Sequence, residues 1–189
     1  PKLNSEMTIL TGGKGKRLMP ITKNTPKALV KINGKPILEQ IILKAKKEGI
    51  EKFNLITFHM HSKIVKYFGN GTKLDVKIQY YKENLPLGTA GGLSLLKLKK
   101  SKTMIITNCD ILTNINYSDI IRYHHANKNK LTLASRFYKL DNPYGVIKID
   151  KTNKVIGIDE KPSENNLISA GIYVIDTSVF LSDANCIYK

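Results

Sequence analysis

The stretch from Leu10 to Leu29, LTGGKGKRLMPITKNTPKAL, places three glycines, one arginine and four lysines directly after a short apolar run. Residues without a Cβ let successive backbone N–H groups converge on an anion. Gly12, Gly13 and Gly15 are therefore read either as a phosphate cradle or as a plain turn. Lys14 and Lys16 add charge inside the loop. Arg17 adds a rigid fork of donors suited to phosphate, and Lys27 adds a point charge on a segment stiffened by Pro26. The pattern is neither G-x-x-x-x-G-K-[ST] nor the dinucleotide G-x-G-x-x-G.

Further along, ITNCDIL (Ile106–Leu112) sets Asp110 at the end of an apolar run. A carboxylate there is costly unless it is exposed, paired or bound to a metal. Mg²⁺ takes one or two carboxylates together with phosphate oxygens. The other reading is a loop or capping aspartate. ENLPLGTAGGL (Glu83–Leu93) collects small residues and Pro86 where a flat base could lie against backbone, or where a helix simply begins. The pair Glu160–Lys161 reads by itself as a surface ion pair. His59, His61, His124 and His125 lack companion ligands in the sequence, so structural or surface roles are expected for them.

These residues need elements to position them. Met7–Leu10 reads as a buried strand, and Pro36 opens a helix with Ile37, Leu38, Ile41, Ile42 and Ala45 at helical spacing, ended at Gly49. Phe53–Phe58 is a strand, and Ser62 is expected to cap a short helix. Val76, Ile78 and Tyr80 alternate as a strand, Gly88–Leu98 reads as helical, Thr103–Thr107 as a strand buried on both faces, and Tyr117–Asn127 as a helix. Beyond this come strands only: Leu131–Phe137, Gly145–Ile149, Val155–Ile158 and Ile168–Ile175. A helix is expected to begin at Ser178–Phe180. An α/β class follows, with a mainly parallel sheet and a β-rich portion after it. In open α/β sheets ligands sit at the carboxyl ends of the strands. Those ends are where the unusual residues fall.

The bulk numbers set bounds. The chain of 189 residues can hold one domain with a sizeable core. No membrane span or secretory leader is evident. Two cysteines, Cys109 and Cys186, without a Cys-x-x-Cys spacing point away from a disulfide scaffold and toward a reducing cytoplasm. The net charge of +16 admits a nucleic-acid partner, a polyphosphate substrate or a lysine-rich solvated surface. No aromatic platform accompanies the charge and no apolar run is long enough for a bilayer, so nucleic acid and membrane are not expected partners.

The run G-G-x-G-x-R-L-x-P-[IL]-T-x-x-x-P-K resembles the signature of the sugar-nucleotide nucleotidyltransferases, which join a nucleoside triphosphate to a sugar 1-phosphate. E-x-x-P-L-G-T-A-G and P-Y-G-V resemble that family's base and sugar loops, most closely in its mannose-1-phosphate guanylyltransferase-like branch. The resemblance spans roughly residues 6–182. It implies a three-layer Rossmann-like nucleotidyltransferase fold with a mixed, mainly parallel central sheet. A nucleotide-binding part would cover about 6–130 and a small β-rich sugar-binding part about 131–182. It assigns nucleotide contacts to Leu10, Gly12, Gly13, Gly15, Lys16, Glu83, Pro86, Gly88 and Thr89, with Glu83 reading the base. Catalysis falls to Arg17, Lys27 and Asp110, and Mg²⁺ to Asp110. Sugar phosphate falls to Asp110, Gly145, Glu160, Lys161 and Ser169.

Three positions depart from the pattern: Lys16 stands for a hydroxyl residue, Cys109 for a common glycine, and Ser169 for a common asparagine. A second metal-binding aspartate is implied further downstream; Asp176 and Asp183 lie too near the E-K-P segment Glu160-Lys161-Pro162 for that role. The chain is therefore expected to be part of a longer one. The resemblance leaves room for a homo-oligomer and for an additional regulatory domain. The implied reaction gives an NDP-sugar and pyrophosphate, with GTP favoured over UTP or dTTP. A non-catalytic nucleotide-sugar-binding domain is the alternative.

Overall fold

The computed structural model describes residues 5–98 and 103–182, and of Thr89, Leu181 and Ser182 only the backbone. Asp183 and Cys186 fall outside the described residues. Strand β1 (Glu6–Leu10) leads into the glycine loop, and two short strands, β2 (Lys31–Ile32) and β3 (Lys35–Pro36), form a small hairpin before helix α1 (Ile37–Lys47). Then follow β4 (Lys52–Thr57), α2 (His61–Phe68), β5 (Lys77–Lys82), α3 (Gly88–Gly91), β6 (Thr103–Asn108) and α4 (Tyr117–Ala126). Strands β7 (Leu131–Asp141), β8 (Val146–Ile149), β9 (Val155–Asp159) and β10 (Ser163–Asp176) precede α5 (Ser178–Ser182).

Six strands form one sheet in the order β5-β4-β1-β6-β10-β7. β5, β4, β1 and β6 run parallel, and β10 enters antiparallel to β6. The central strands are buried on both faces, as strands covered on both sides are, with Thr8 and Asn54 the buried polar pair on one face. Met7, Ile9, Leu55 and Ile105 are fully buried. Helix α1 buries Ile37, Leu38, Ile41, Ile42 and Ala45, the stripe expected from its sequence. Each of the leucine and isoleucine side chains contributes about 1.5–3 kcal/mol, and Ala45 less.

The register decides where the loops emerge. Leu10 pairs with Ile56 on one side and with Asn108 on the other, so three strands end level. The ladder runs one residue past each end: Thr11 N donates to Ile56 O at 2.8 Å, Glu83 N to Thr57 O at 2.8 Å, and Cys109 N to Leu10 O at 3.2 Å. Gly12, Glu83 and Asp110 are thereby delivered to one edge of the sheet.

Two expectations give way. Ser62 is not a cap: α2 begins at His61 after Met60, which takes a left-handed conformation (φ 53°) without a side-chain cap. The Gly88–Leu98 helix is only α3 plus a 3-10 turn at Gly92–Leu95, since adjacent glycines add backbone entropy cost to every turn. By contrast α4 is capped by Asn116, whose side chain accepts from the N–H groups of Ser118 and Asp119.

The chain divides into two compact units. The first holds the described residues up to Leu133 and from Gly171 onward; the second is Ala134–Ala170. In the second unit β8 and β9 pair antiparallel, and the Asp150 carboxylate closes their turn by accepting from Thr152 N (2.8 Å) and Lys154 N (3.0 Å). No helix among the described residues is long and apolar enough to cross a membrane.

Candidate active site

A cleft of about 430 Å³ opens at the level strand ends in the first unit. Leu10, Gly12, Gly13, Lys27, Glu83, Pro86, Gly88 and Asp110 line it, together with Ile56, Phe58, Leu87, Gly92, Asn108 and Cys109. The structure thus brings together eight of the residues the sequence reading singled out, from four separate segments.

The glycines of the first loop differ in what holds them. Gly15 takes φ +63°, and a Cβ there would lie 2.9 Å from Thr22 Cγ2. Thr22 Oγ1 also donates to Gly15 O at 2.8 Å, pinning the loop to the following turn. At Gly12 a Cβ would meet Glu83 Oε2 at 2.9 Å. Gly13 is the contrast: a Cβ there would meet nothing within 4 Å. The chain's own packing does not require glycine at 13, whereas a ligand lying against that backbone would.

Glu83 is 7% exposed, and its carboxylate lies between the backbones of Gly12 and Gly92. At Gly92 a Cβ would stand 2.7 Å from Glu83 Oε1 and 2.5 Å from Ile56 Cγ2. Burial raises the Glu83 carboxyl above the usual carboxylate range; a hydrogen bond with the Leu87 backbone opposes this more weakly. Cys109 is 4% exposed, and burial pushes its thiol up to about 12, so it is an unreactive packing group at neutral pH.

Across the cleft, Lys27 Nζ donates to Asp110 Oδ2 at 2.5 Å. Their side chains are 26% and 39% exposed, so the pair is open to the cleft rather than sealed in the core. Arg17 and Lys16 sit on an exposed 3-10 turn, Lys16–Leu18, and do not line the cleft.

The remaining predicted residues belong to the second unit. A Cβ on Gly145 would lie 3.1 Å from Glu160 Oε2, so those two positions are neighbours. Asn142 N donates to Pro162 O at 3.0 Å, closing the two ends of the hairpin segment. Lys161 is exposed with φ +45°, and Ser169 is exposed on β10. The side chain of Thr89 lies outside what is described. Three of the four histidines have local hydrogen-bond partners: His61 with Thr57, His124 with Thr132, and His125 with Thr103.

A sequence profile described as nucleotidyl transferase matches residues 7–189. The chain belongs to that family. This nucleotidyl transferase is 36% identical over 178 residues to a bifunctional protein GlmU of Methanococcus maripaludis, an alignment covering 91% of this chain and 40% of the relative. It is 34% identical over 174 residues to the D-glycero-α-D-manno-heptose 1-phosphate guanylyltransferase of Campylobacter jejuni, covering 91% and 76%. Among solved structures, HddC from Yersinia pseudotuberculosis superposes with a TM-score of 0.69 at 25% identity, covering 92% and 77%. The chain spans about two fifths of the length of the GlmU relatives it matches.

The nucleotidyl transferase cleft fits a magnesium ion on the chemistry of its donors. Asp110 offers a half-exposed carboxylate, and the ammonium of Lys27 already stands on it as a cation. One carboxylate completed by phosphate oxygens and water is a usual Mg²⁺ environment. Among the described residues no three His, Cys, Asp or Glu side chains gather as a metal group, so within them Asp110 is the carboxylate that phosphate oxygens, water and the implied downstream aspartate would complete. Sequence reasoning assigned no role to Phe58 or Asn108. Both are cleft walls because Asn108 pairs with Leu10 and Phe58 follows the end of β4, whose Ile56 pairs with Leu10 on the other side, a signal visible only once strands are paired.

Proposed function

We propose that this chain carries the nucleotidyl-transfer site of an enzyme joining a nucleoside triphosphate to a sugar 1-phosphate, giving an NDP-sugar and pyrophosphate, with GTP preferred. The observation that carries the reading is the convergence of Gly13, Lys27, Glu83 and Asp110 on one cleft at the carboxyl ends of parallel strands.

The chemistry asks little of covalent catalysis. The oxygen of the sugar phosphate is already anionic at neutral pH, so no strong base is required. It attacks the α-phosphorus in line while pyrophosphate leaves opposite. The barrier is repulsion between anions plus the cost of alignment, and cations and positioning lower both. The glycine loop binds phosphate through backbone N–H groups on the open side of Gly13. Lys27 orients and neutralises phosphate oxygens. Asp110 would hold Mg²⁺, which when bound neutralises further phosphate charge. Arg17, exposed beside the loop, would close over the triphosphate. In the second unit Glu160 would grip sugar hydroxyls beside Gly145, and Lys161 the sugar phosphate.

The base follows from Glu83. An ionised carboxylate accepts two hydrogen bonds, and guanine offers two adjacent donors, N1–H and the exocyclic amine. Uracil and thymine present a donor between two carbonyls, which the carboxylate would repel. The second reading takes UTP or dTTP as the substrate, which would need a carboxyl presenting one donor and one acceptor to the base.

The test is pyrophosphate release from GTP, UTP, dTTP and CTP with Mg²⁺ and a panel of hexose, heptose and hexosamine 1-phosphates. Turnover with GTP, lost in Asp110→Asn, supports the proposal. Turnover with UTP or dTTP alone favours the second reading. Nucleotide-sugar binding without turnover would sink the enzymatic reading and leave a binding domain.

A further inference from the structure

The Lys27–Asp110 ion pair ties together segments 83 residues apart in sequence. Lys27 is seated firmly: it opens the 3-10 turn Lys27–Leu29 behind Pro26, and its Cβ lies 3.3 Å from where a Cβ on Gly15 would be. Asp110 is fixed from the other side by β6 and by the bond from Cys109 N to Leu10 O. The carboxylate suited to a divalent cation thus already holds a monovalent one, covalently part of the chain.

We propose that Lys27 is a tethered competitor for the metal at Asp110. It keeps the free cleft from taking up a divalent cation, and it releases the carboxylate when a triphosphate supplies oxygens to lysine and cation together. This rests on the reading of the cleft as a triphosphate site. The physical balance is simple. A divalent ion arriving alone must displace the ammonium or sit beside it, and like charges a few ångströms apart repel strongly in a partly desolvated cleft. In return it gains, from the described residues, the Asp110 carboxylate, short of the six oxygens Mg²⁺ demands. A triphosphate reverses the balance. Its oxygens complete the metal shell, and its charge gives Lys27 a new partner. Metal and nucleotide therefore enter together, and Lys27 is a positioning residue for the cation before it is a phosphate ligand.

Mn²⁺ is the probe, titrated by electron paramagnetic resonance in the absence of nucleotide, against wild type, Lys27→Met, Lys27→Met with Asp110→Asn, and Lys66→Met. Lys66 is exposed on α2 outside the cleft and controls for net charge. The expected result is Mn²⁺ binding about tenfold tighter in Lys27→Met than in wild type, given typical ion-pair magnitudes. The gain should vanish in the double variant and be absent in Lys66→Met. Equal affinity in wild type and Lys27→Met overturns the proposal. So does an equal gain in Lys66→Met, which would assign the effect to charge at large. Should Lys27→Met melt early, Lys27→Gln carries the same comparison. Triphosphate binding is measured in parallel. Wild type that binds no triphosphate sinks the reading of the cleft, while the nucleotide-free Mn²⁺ comparison still decides the competition.

Discussion

The two compact units are built on different terms. In the first, the strands and helices bury an apolar core, and the residues facing the cleft follow directly from fully buried strands. In the second, no residue of Ala134–Ala170 is buried: Phe137 is 78% exposed, Tyr144 75% and Ile156 66%. Gly145, Glu160 and Lys161 are placed there by hairpin pairing and by turns closed through Asp150 and Asn142, not by packing. Geometry held by a packed interior resists deformation. Geometry held by exposed hydrogen bonds opens locally at lower cost. The first unit is thus expected to hold the nucleotide in a fixed frame, and the second to tolerate variation in what it grips.

The sharpest way to break this contrast is Asp110→Asn, expected to lower kcat about 10²–10³-fold, the usual cost of losing a group that stabilises transition-state charge. Steady-state pyrophosphate release reads it, and an effect under fivefold would remove Asp110 from the centre of the site. Next come two glycines of that unit. Gly92→Ala must push into Ile56 and Glu83 and should cost about 1–3 kcal/mol of stability, seen as a lower thermal midpoint. Gly13→Ala, with open space on that side, should leave the midpoint unchanged while weakening triphosphate binding at least tenfold by calorimetry. Equal effects of the two on melting would show that Gly13 also serves packing.

Glu83 gives a pH test of smaller size. Its folded pKa is raised by burial, so between the unfolded value and the folded one the native state binds more protons than the unfolded chain. Stability must therefore fall as pH rises through the window just above the ordinary carboxylate range. Glu83→Gln should flatten that slope in denaturant titrations and shift preference away from GTP. A slope unchanged by the substitution would mean that Glu83 is solvated after all. The smallest effects belong to the second unit. Lys161→Ala should raise the KM for sugar 1-phosphate severalfold with kcat and melting nearly unchanged. Breaking the exposed Lys148–Asp159 pair should alter stability by about 1 kcal/mol or less.

Much of the first unit was readable in the sequence because its signals are local. Ile37, Leu38, Ile41 and Ile42 announce α1 by spacing alone, and apolar runs ending at Leu10 and near Asn108 announce central strands. The glycine loop and Asp110 stood out because their residue types are expensive where they occur. What stayed hidden depends on pairing between distant segments. No local pattern says that β10 inserts antiparallel between β6 and β7, that Lys27 meets Asp110, or that Phe58 and Asn108 become walls of one cleft. Ser62 misled because a good capping residue one position inside a helix looks the same in sequence as one at its boundary.

The lodging of the Glu83 carboxylate between Gly12 and Gly92 has an evolutionary consequence. A side chain at 12 is blocked first by Glu83 Oε2, with Phe58 Cβ behind it at 3.3 Å; at 92 the nearer obstacle is Ile56. Shortening Glu83 would relax position 12 and leave 92 constrained. The three positions are therefore coupled with a direction: a shorter residue at 83 should make a side chain at 12 easier to accept, while 92 stays constrained by Ile56.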